Sequence, residues 1–215
     1  MFTFNNLVPI PLSDQLGASD IWNNTFSFDG STRYFIEAPS GKGKTTLQHI
    51  LYGLRKDYTG TVQITIPSGT FSLKELTLEQ WATIRQQHVS VVFQDLRLFL
   101  QLTALENIQL KNALTNAQTE AAIVAMAEEL GVEMLLDKKC GEMSYGQRQR
   151  IAIIRALCQP FQFLVMDEPF AHLDSTNIQK CCQLIQRVCS EQNAGYAIAS
   201  LEEKYFLTYD KEVKI

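Results

Sequence analysis

Short apolar runs alternate along the chain with segments whose apolar residues recur at helical spacing. Arg33–Glu37 (RYFIE), Thr61–Ile66 (TVQITI), Val89–Phe93 (VSVVF), Phe161–Met166 (FQFLVM) and Gly195–Ser200 (GYAIAS) have the length and the β-branched or aromatic content of strands. Leu47, Ile50, Leu51 and Leu54 share one helical face directly after the first of these. Ile123, Met126, Ala127 and Leu130 form another face, with Gly131 placed to end that helix. Ile178, Cys181, Cys182, Ile185, Val188 and Cys189 make a third stripe. Between Leu98 and Lys139 the pattern is mostly helical. At the end of the chain, Tyr205–Tyr209 and Val213–Ile215 flank Asp210–Glu212 and predict a hairpin. Strand and helix signals in alternation predict an α/β fold with a mixed or parallel sheet flanked by helices.

The 215 residues suit one domain, 1–215, with a helical subdomain inserted at about 98–158. With 46% hydrophobic and 20% charged residues the composition excludes a disordered chain. The net charge of −4 gives no general attraction to nucleic acid or anionic lipid, and no nucleic-acid partner is expected. No apolar run reaches the roughly 18 residues a membrane helix needs, and the N-terminus lacks an export signal's cationic start, so a cytoplasmic location is expected. The five cysteines are odd in number and no pair has the two-residue gap of a zinc or redox site, which reads as reduced, structural thiols.

Ala38–Thr46 (APSGKGKTT) satisfies the phosphate-loop pattern except that Ala38 stands at its first glycine. A strand feeds this loop and a helix leaves it. Backbone N–H groups of Ser40, Gly41, Lys42, Gly43 and Thr46 and the helix start then converge on an anion, Lys44 reaches the β- and γ-phosphates, and Thr45 binds Mg²⁺. The strand ending at Asp167-Glu168 sets two carboxylates at a sheet's C-terminal edge, where ligands of parallel sheets gather. Asp167 suits a magnesium ion, and Glu168 suits orienting and deprotonating an attacking water. Ser144, ahead of the helix bearing Ile151, Ile154 and Leu157, is a natural N-cap, and with Gly146 it makes a second anion-binding helix start.

With these motifs in place, the sequence resembles the ATP-binding subunits of ABC transporters. Ser144-Tyr-Gly-Gln147 resembles the family signature, Gln94 in Val92–Asp95 its glutamine loop, and Ala171–Asp174 the loop after its catalytic glutamate. The segment Leu98–Asn107 is similar to the lipoprotein-release and macrolide-export branch. The resemblance implies a P-loop NTPase fold of the ABC ATPase type and Mg²⁺-dependent ATP hydrolysis coupled to transport. Glu168 and Gln94 are then catalytic, Thr45, Gln94 and Asp167 hold the metal, and Asp174 contacts nucleotide. It also implies that Ser144, Gly146 and Gln147 contact an ATP held by the Lys44 of a second copy or paired subunit. A separate integral membrane permease subunit would hold this pair at the inner face of the cytoplasmic membrane.

Three positions depart from the family pattern. Tyr145 replaces the first signature glycine, and Ala38 the first loop glycine. Leu201 falls where the family places a histidine against the γ-phosphate, which leaves open a nucleotide-gated clamp with weak hydrolysis; His172 is a candidate replacement. Phe2, Phe4 and Trp22 are the available aromatics for adenine stacking. Arg148, Arg150 and Arg155 read as the polar face of the signature helix, and Leu96, Leu98, Phe99 and Leu100 as an apolar socket for the permease or as core.

Overall fold

A computed structural model describes residues 1–14, 16–201 and 204–215; Glu202 and Glu203, next to the Leu201 position, lie outside them. Nine strands and six α-helices follow in chain order among these residues. The strands are β1 (Phe2–Pro9), β2 (Thr25–Phe28), β3 (Arg33–Glu37), β4 (Tyr58–Ile66), β5 (Gly69–Ser72), β6 (Val89–Val92), β7 (Phe163–Asp167), β8 (Gly195–Ser200) and β9 (Lys211–Lys214). The helices are α1 (Lys44–Leu51), α2 (Leu78–Gln87), α3 (Ala104–Asn112), α4 (Glu120–Glu129), α5 (Tyr145–Leu157) and α6 (Ser175–Glu191).

Two sheets form. Strands β2-β1-β4-β5 make an antiparallel sheet, and β6-β7-β8-β3-β9 a second sheet in which every recorded pairing is parallel. Side chains alternate across a strand, so the parallel sheet serves two cores. Phe35, Leu164, Met166, Tyr196 and Ile198 join the apolar cluster built with α3 to α6. Tyr34, Ile36, Phe163, Val165, Ala197 and Ala199 join the cluster that α1 and the antiparallel sheet complete. The register sets Glu37 beside Ser200 and Asp167 beside Ala199, so the C-terminal ends of β3, β8 and β7 lie on one edge. That edge holds the site.

Several expectations need correction. The terminal segment is not a hairpin: Lys211–Lys214 pairs in parallel with β3, and Tyr205–Tyr209 holds no strand. The Asp210 carboxylate accepts from both the backbone N–H and the guanidinium of Arg33, which draws the chain in beside β3. Leu54 lies beyond α1 and is exposed, because Gly53 at φ +70° closes the helix before it. Arg150 and Arg155 are not a free polar face. Arg150 donates to the Leu130 carbonyl and to Asn177 Oδ1, and Arg155 donates to the carbonyls of Leu96 and Arg97, both residues in the left-handed region. Leu96 is buried, while Phe99 and Leu100 are 55% and 48% exposed. All five cysteines are buried without disulfides, and burial pushes the thiols of Cys158, Cys181 and Cys189 up to about 12, so they stay protonated.

Candidate functional site

The loop between β3 and α1 is built on positive-φ glycines. Gly41 has φ +79°, and Gly43 has φ +102° at the N-cap of α1. A Cβ on Gly43 would stand 2.8 Å from Leu12 Cδ1 and 3.0 Å from Trp22, so any other residue is blocked twice, by backbone and by neighbour. Ala38 has no positive φ; it is fully buried in ordinary backbone, which explains why alanine serves at this position.

A cleft of about 290 Å³ opens over this loop, lined by Ser40, Gly41, Gly43, Lys44, Thr45, Thr46, Gln94 and Glu168, with Leu12 and Leu201 at its walls. Lys44 is only 8% exposed. Its ammonium donates to the Ala38 carbonyl at 2.9 Å and pairs with Glu168 at 3.0 Å. Glu168 Oε2 accepts from the Gln94 amide at 3.3 Å. Glu168 also sits at φ +43°, its N–H bonded to the Ala199 carbonyl, a strained backbone that a β-sheet neighbour over-determines.

Asp167 is fully buried. Thr45 Oγ1 donates to its Oδ2 at 2.5 Å, and Oδ1 has no partner among the described residues. Burial raises its pKa, the neighbouring Glu168 adds to the rise, and Thr45 and Lys44 oppose it. An orphaned buried carboxylate oxygen beside a hydroxyl fits a magnesium ion, which takes one or two carboxylates and fills the rest of its shell with phosphate and water. The raised pKa gives a test. A carboxyl whose folded pKa exceeds its unfolded value of about 3.9 supports the fold below that pH and loses this support as pH rises through the folded value. Asp167→Asn is therefore expected to raise the melting temperature at pH 7 without metal, to show less of that gain near pH 4, and to lose the ATP affinity that added magnesium gives the parent. A lower melting temperature at pH 7 would contradict this assignment of the charge.

The signature residues stand elsewhere. None of Ser144, Gly146 and Gln147 lines the cleft. Ser144 caps α5, accepting from the Gln147 N–H while the Gln147 side chain accepts from the Ser144 N–H. Asp174 caps α6 through Asn177, and those bonds hold its carboxyl below the usual range. The backbone of Lys42 holds Trp22, whose indole N–H donates to its carbonyl at 3.1 Å. Phe2, Phe4 and Trp22 are all buried, so none offers a face to a base. His172 is not among the residues lining the cleft; its ring lies edge-on to Tyr145 with centroids 4.3 Å apart, and it is not brought beside Leu201 there. Leu12, from the short turn Ile10–Leu12, forms a wall of the cleft that nothing in its local sequence pattern marks.

The family model described as "ABC transporter" matches residues 22–171. The chain belongs to the ABC transporter family. Among its relatives, the lipoprotein-releasing system ATP-binding protein LolD of Syntrophotalea carbinolica is 36% identical over 163 residues, covering 74% of this chain and 70% of LolD. The thiamine import ATP-binding protein ThiQ of Salmonella choleraesuis is 33% identical over 179 residues, covering 82% of this chain and 72% of ThiQ. The dimeric structure of MJ0796, a bacterial ABC transporter cassette, matches with a TM-score of 0.79 and 25% identity, over 94% of this chain and 88% of the cassette. A dimeric post-hydrolysis structure of the MJ0796 cassette bound to ADP and Pi matches at 0.75 and 26% identity, over 99% of this chain and 96% of that one. This ABC protein is an ATP-binding and ATP-hydrolysing transporter subunit with an ABC ATPase fold.

Proposed function

We propose that two copies of this chain, or one copy and a paired ATPase subunit, close on ATP and drive a separate membrane permease of the lipoprotein-release type. The supporting observation is the separation within one copy: Lys44, Gln94 and Glu168 share a cleft whose lining includes none of Ser144, Gly146 and Gln147. Two-fold pairing supplies Ser144, Gly146 and Gln147 of one copy to the phosphates held by the other, with Asp174 beside them. Phosphate takes Lys44 from Glu168, freeing the carboxylate for water. Water attacks the γ-phosphorus, the bond to the β-phosphate oxygen breaks, and Glu168 accepts the water proton. Thr45, Asp167 and Gln94 would hold Mg²⁺, which neutralises phosphate charge. Loss of the bridging phosphate then opens the pair.

The exposed Phe99 and Leu100, following the Gln94 loop, support docking of an apolar permease element there. Through that contact the chain would sit at the cytoplasmic membrane face; no helix of the described residues is long and apolar enough to cross a membrane. The clamp reading is not favoured, since Lys44, Gln94 and Glu168 are already assembled and a matching cassette was solved after hydrolysis.

The test is oligomeric state. With a nonhydrolysable ATP analogue and magnesium, light scattering should find the protein shifting from one copy to two. Ser144→Arg should block this shift while changing analogue affinity by no more than about threefold, since the lost contact lies across the interface. A dimer of undiminished strength in Ser144→Arg would refute the sandwich.

A further inference from the structure

Tyr145 occupies a position where the signature it resembles has glycine, and its side chain is not idle. Its hydroxyl donates to the Gln94 carbonyl at 2.7 Å. Its ring meets His172, four residues past Glu168, edge-to-face. The Arg148 guanidinium lies 5.5 Å from the ring centroid. One side chain at the start of α5 thus touches both loops that carry the hydrolytic groups, the one bearing Gln94 and the one following Glu168.

The neighbouring contacts leave these parts little freedom. A Cβ on Gly146 would stand 3.0 Å from the His172 carbonyl, so the helix start and the loop after Glu168 are in close approach. From further along α5, Arg155 donates to the Leu96 and Arg97 carbonyls, so the Gln94 loop is tied to this helix at two places. The Gln94 side chain in turn reaches Glu168. The linkage runs from the Tyr145 hydroxyl to the Gln94 backbone, and through the Gln94 amide to Glu168.

We propose that Tyr145 is a positioning residue: within one copy it fastens the start of α5 to the Gln94 loop and to His172, and so fixes Gln94 against Glu168. The proposal deepens the hydrolytic reading and rests on it for the roles of Gln94 and Glu168. It concerns contacts inside a single chain, so it does not depend on pairing.

Tyr145→Phe keeps the ring and removes one hydrogen bond; Tyr145→Gly removes ring and bond together. In the nucleotide-free full chain, amide hydrogen exchange at Leu96 and Arg97 should quicken by about threefold or more in Tyr145→Phe, as expected for losing one exposed hydrogen bond, and further in Tyr145→Gly. In steady-state assays kcat should fall by about 3- to 10-fold in Tyr145→Phe, with the dissociation constant for MgATP within about twofold, because Tyr145 does not line the phosphate cleft. Parent-like exchange at Leu96 and Arg97 in both variants would overturn the proposal. So would a loss of affinity as large as the loss of kcat. A parent without ATPase activity would instead refute the hydrolytic reading, and the exchange measurement would still decide whether Tyr145 fastens the loop.

Discussion

Glu168→Gln should lower ATP turnover by roughly 10²- to 10⁴-fold and leave MgATP binding intact. The amide has the size of the carboxylate and still meets the Gln94 side chain, but it cannot take a proton from water at neutral pH. The binding half of the result follows from the ion pair. Lys44 and Glu168 stand 3.0 Å apart, so an arriving phosphate competes with the carboxylate for the ammonium. Removing the carboxylate's charge removes that competition, and affinity should hold or rise. Single-turnover hydrolysis and a direct nucleotide titration on the same preparations separate the two effects. A variant that turns over ATP at the parent's rate would strip Glu168 of its role and shift attention to Gln94, its neighbour in the cleft.

What the sequence disclosed about this site was local in origin. The phosphate loop, the strand ending in Asp167-Glu168 and the Ser144 cap are each written within about ten residues, and the fold places each as its own pattern requires. The antiparallel sheet was legible only at β4. Alternation in β1 is broken at Asn5 and Asn6, where the register shifts and Asn6 turns to φ +50°, while β2 and β5 are four residues each and too short to show a period. The error at the C-terminus had a different source. Parallel pairing of β9 with β3 depends on Asp210 meeting Arg33, a contact across the whole chain that no local window contains. Leu201, which the family pattern sets where a histidine is expected, lines the cleft and is 49% exposed. In the sequence Tyr145 reads only as a replacement of the first signature glycine; its partners Gln94 and His172 lie 51 and 27 residues away and are visible only in three dimensions.

Lys44→Ala should weaken nucleotide affinity by roughly 100-fold, about 3 kcal/mol, the scale of one or two charge-assisted hydrogen bonds to phosphate. The same change should also be felt without nucleotide. The Ala38 carbonyl loses its Lys44 donor, and Glu168 loses its cation while Asp167 lies next to it in sequence. Lys44 opposes the rise in the Asp167 pKa, so its removal should drive that carboxyl further up and make the empty fold less stable at neutral than at mildly acid pH. Lys44→Met separates charge from shape, because it fills much of the space yet donates nothing; it should bind nucleotide as poorly as Lys44→Ala while recovering part of the lost packing. Lys44→Arg keeps the charge, but a planar fork replaces an ammonium that is 8% exposed between Ala38 and Glu168, so affinity should stay well below the parent's. Calorimetric titration of the three variants with MgATP, alongside melting curves at pH 5 and pH 8, reads both effects. If Lys44→Met bound MgATP like the parent, the phosphates would have to be held by the loop's backbone N–H groups alone, and the charge of Lys44 would serve only to neutralise Glu168.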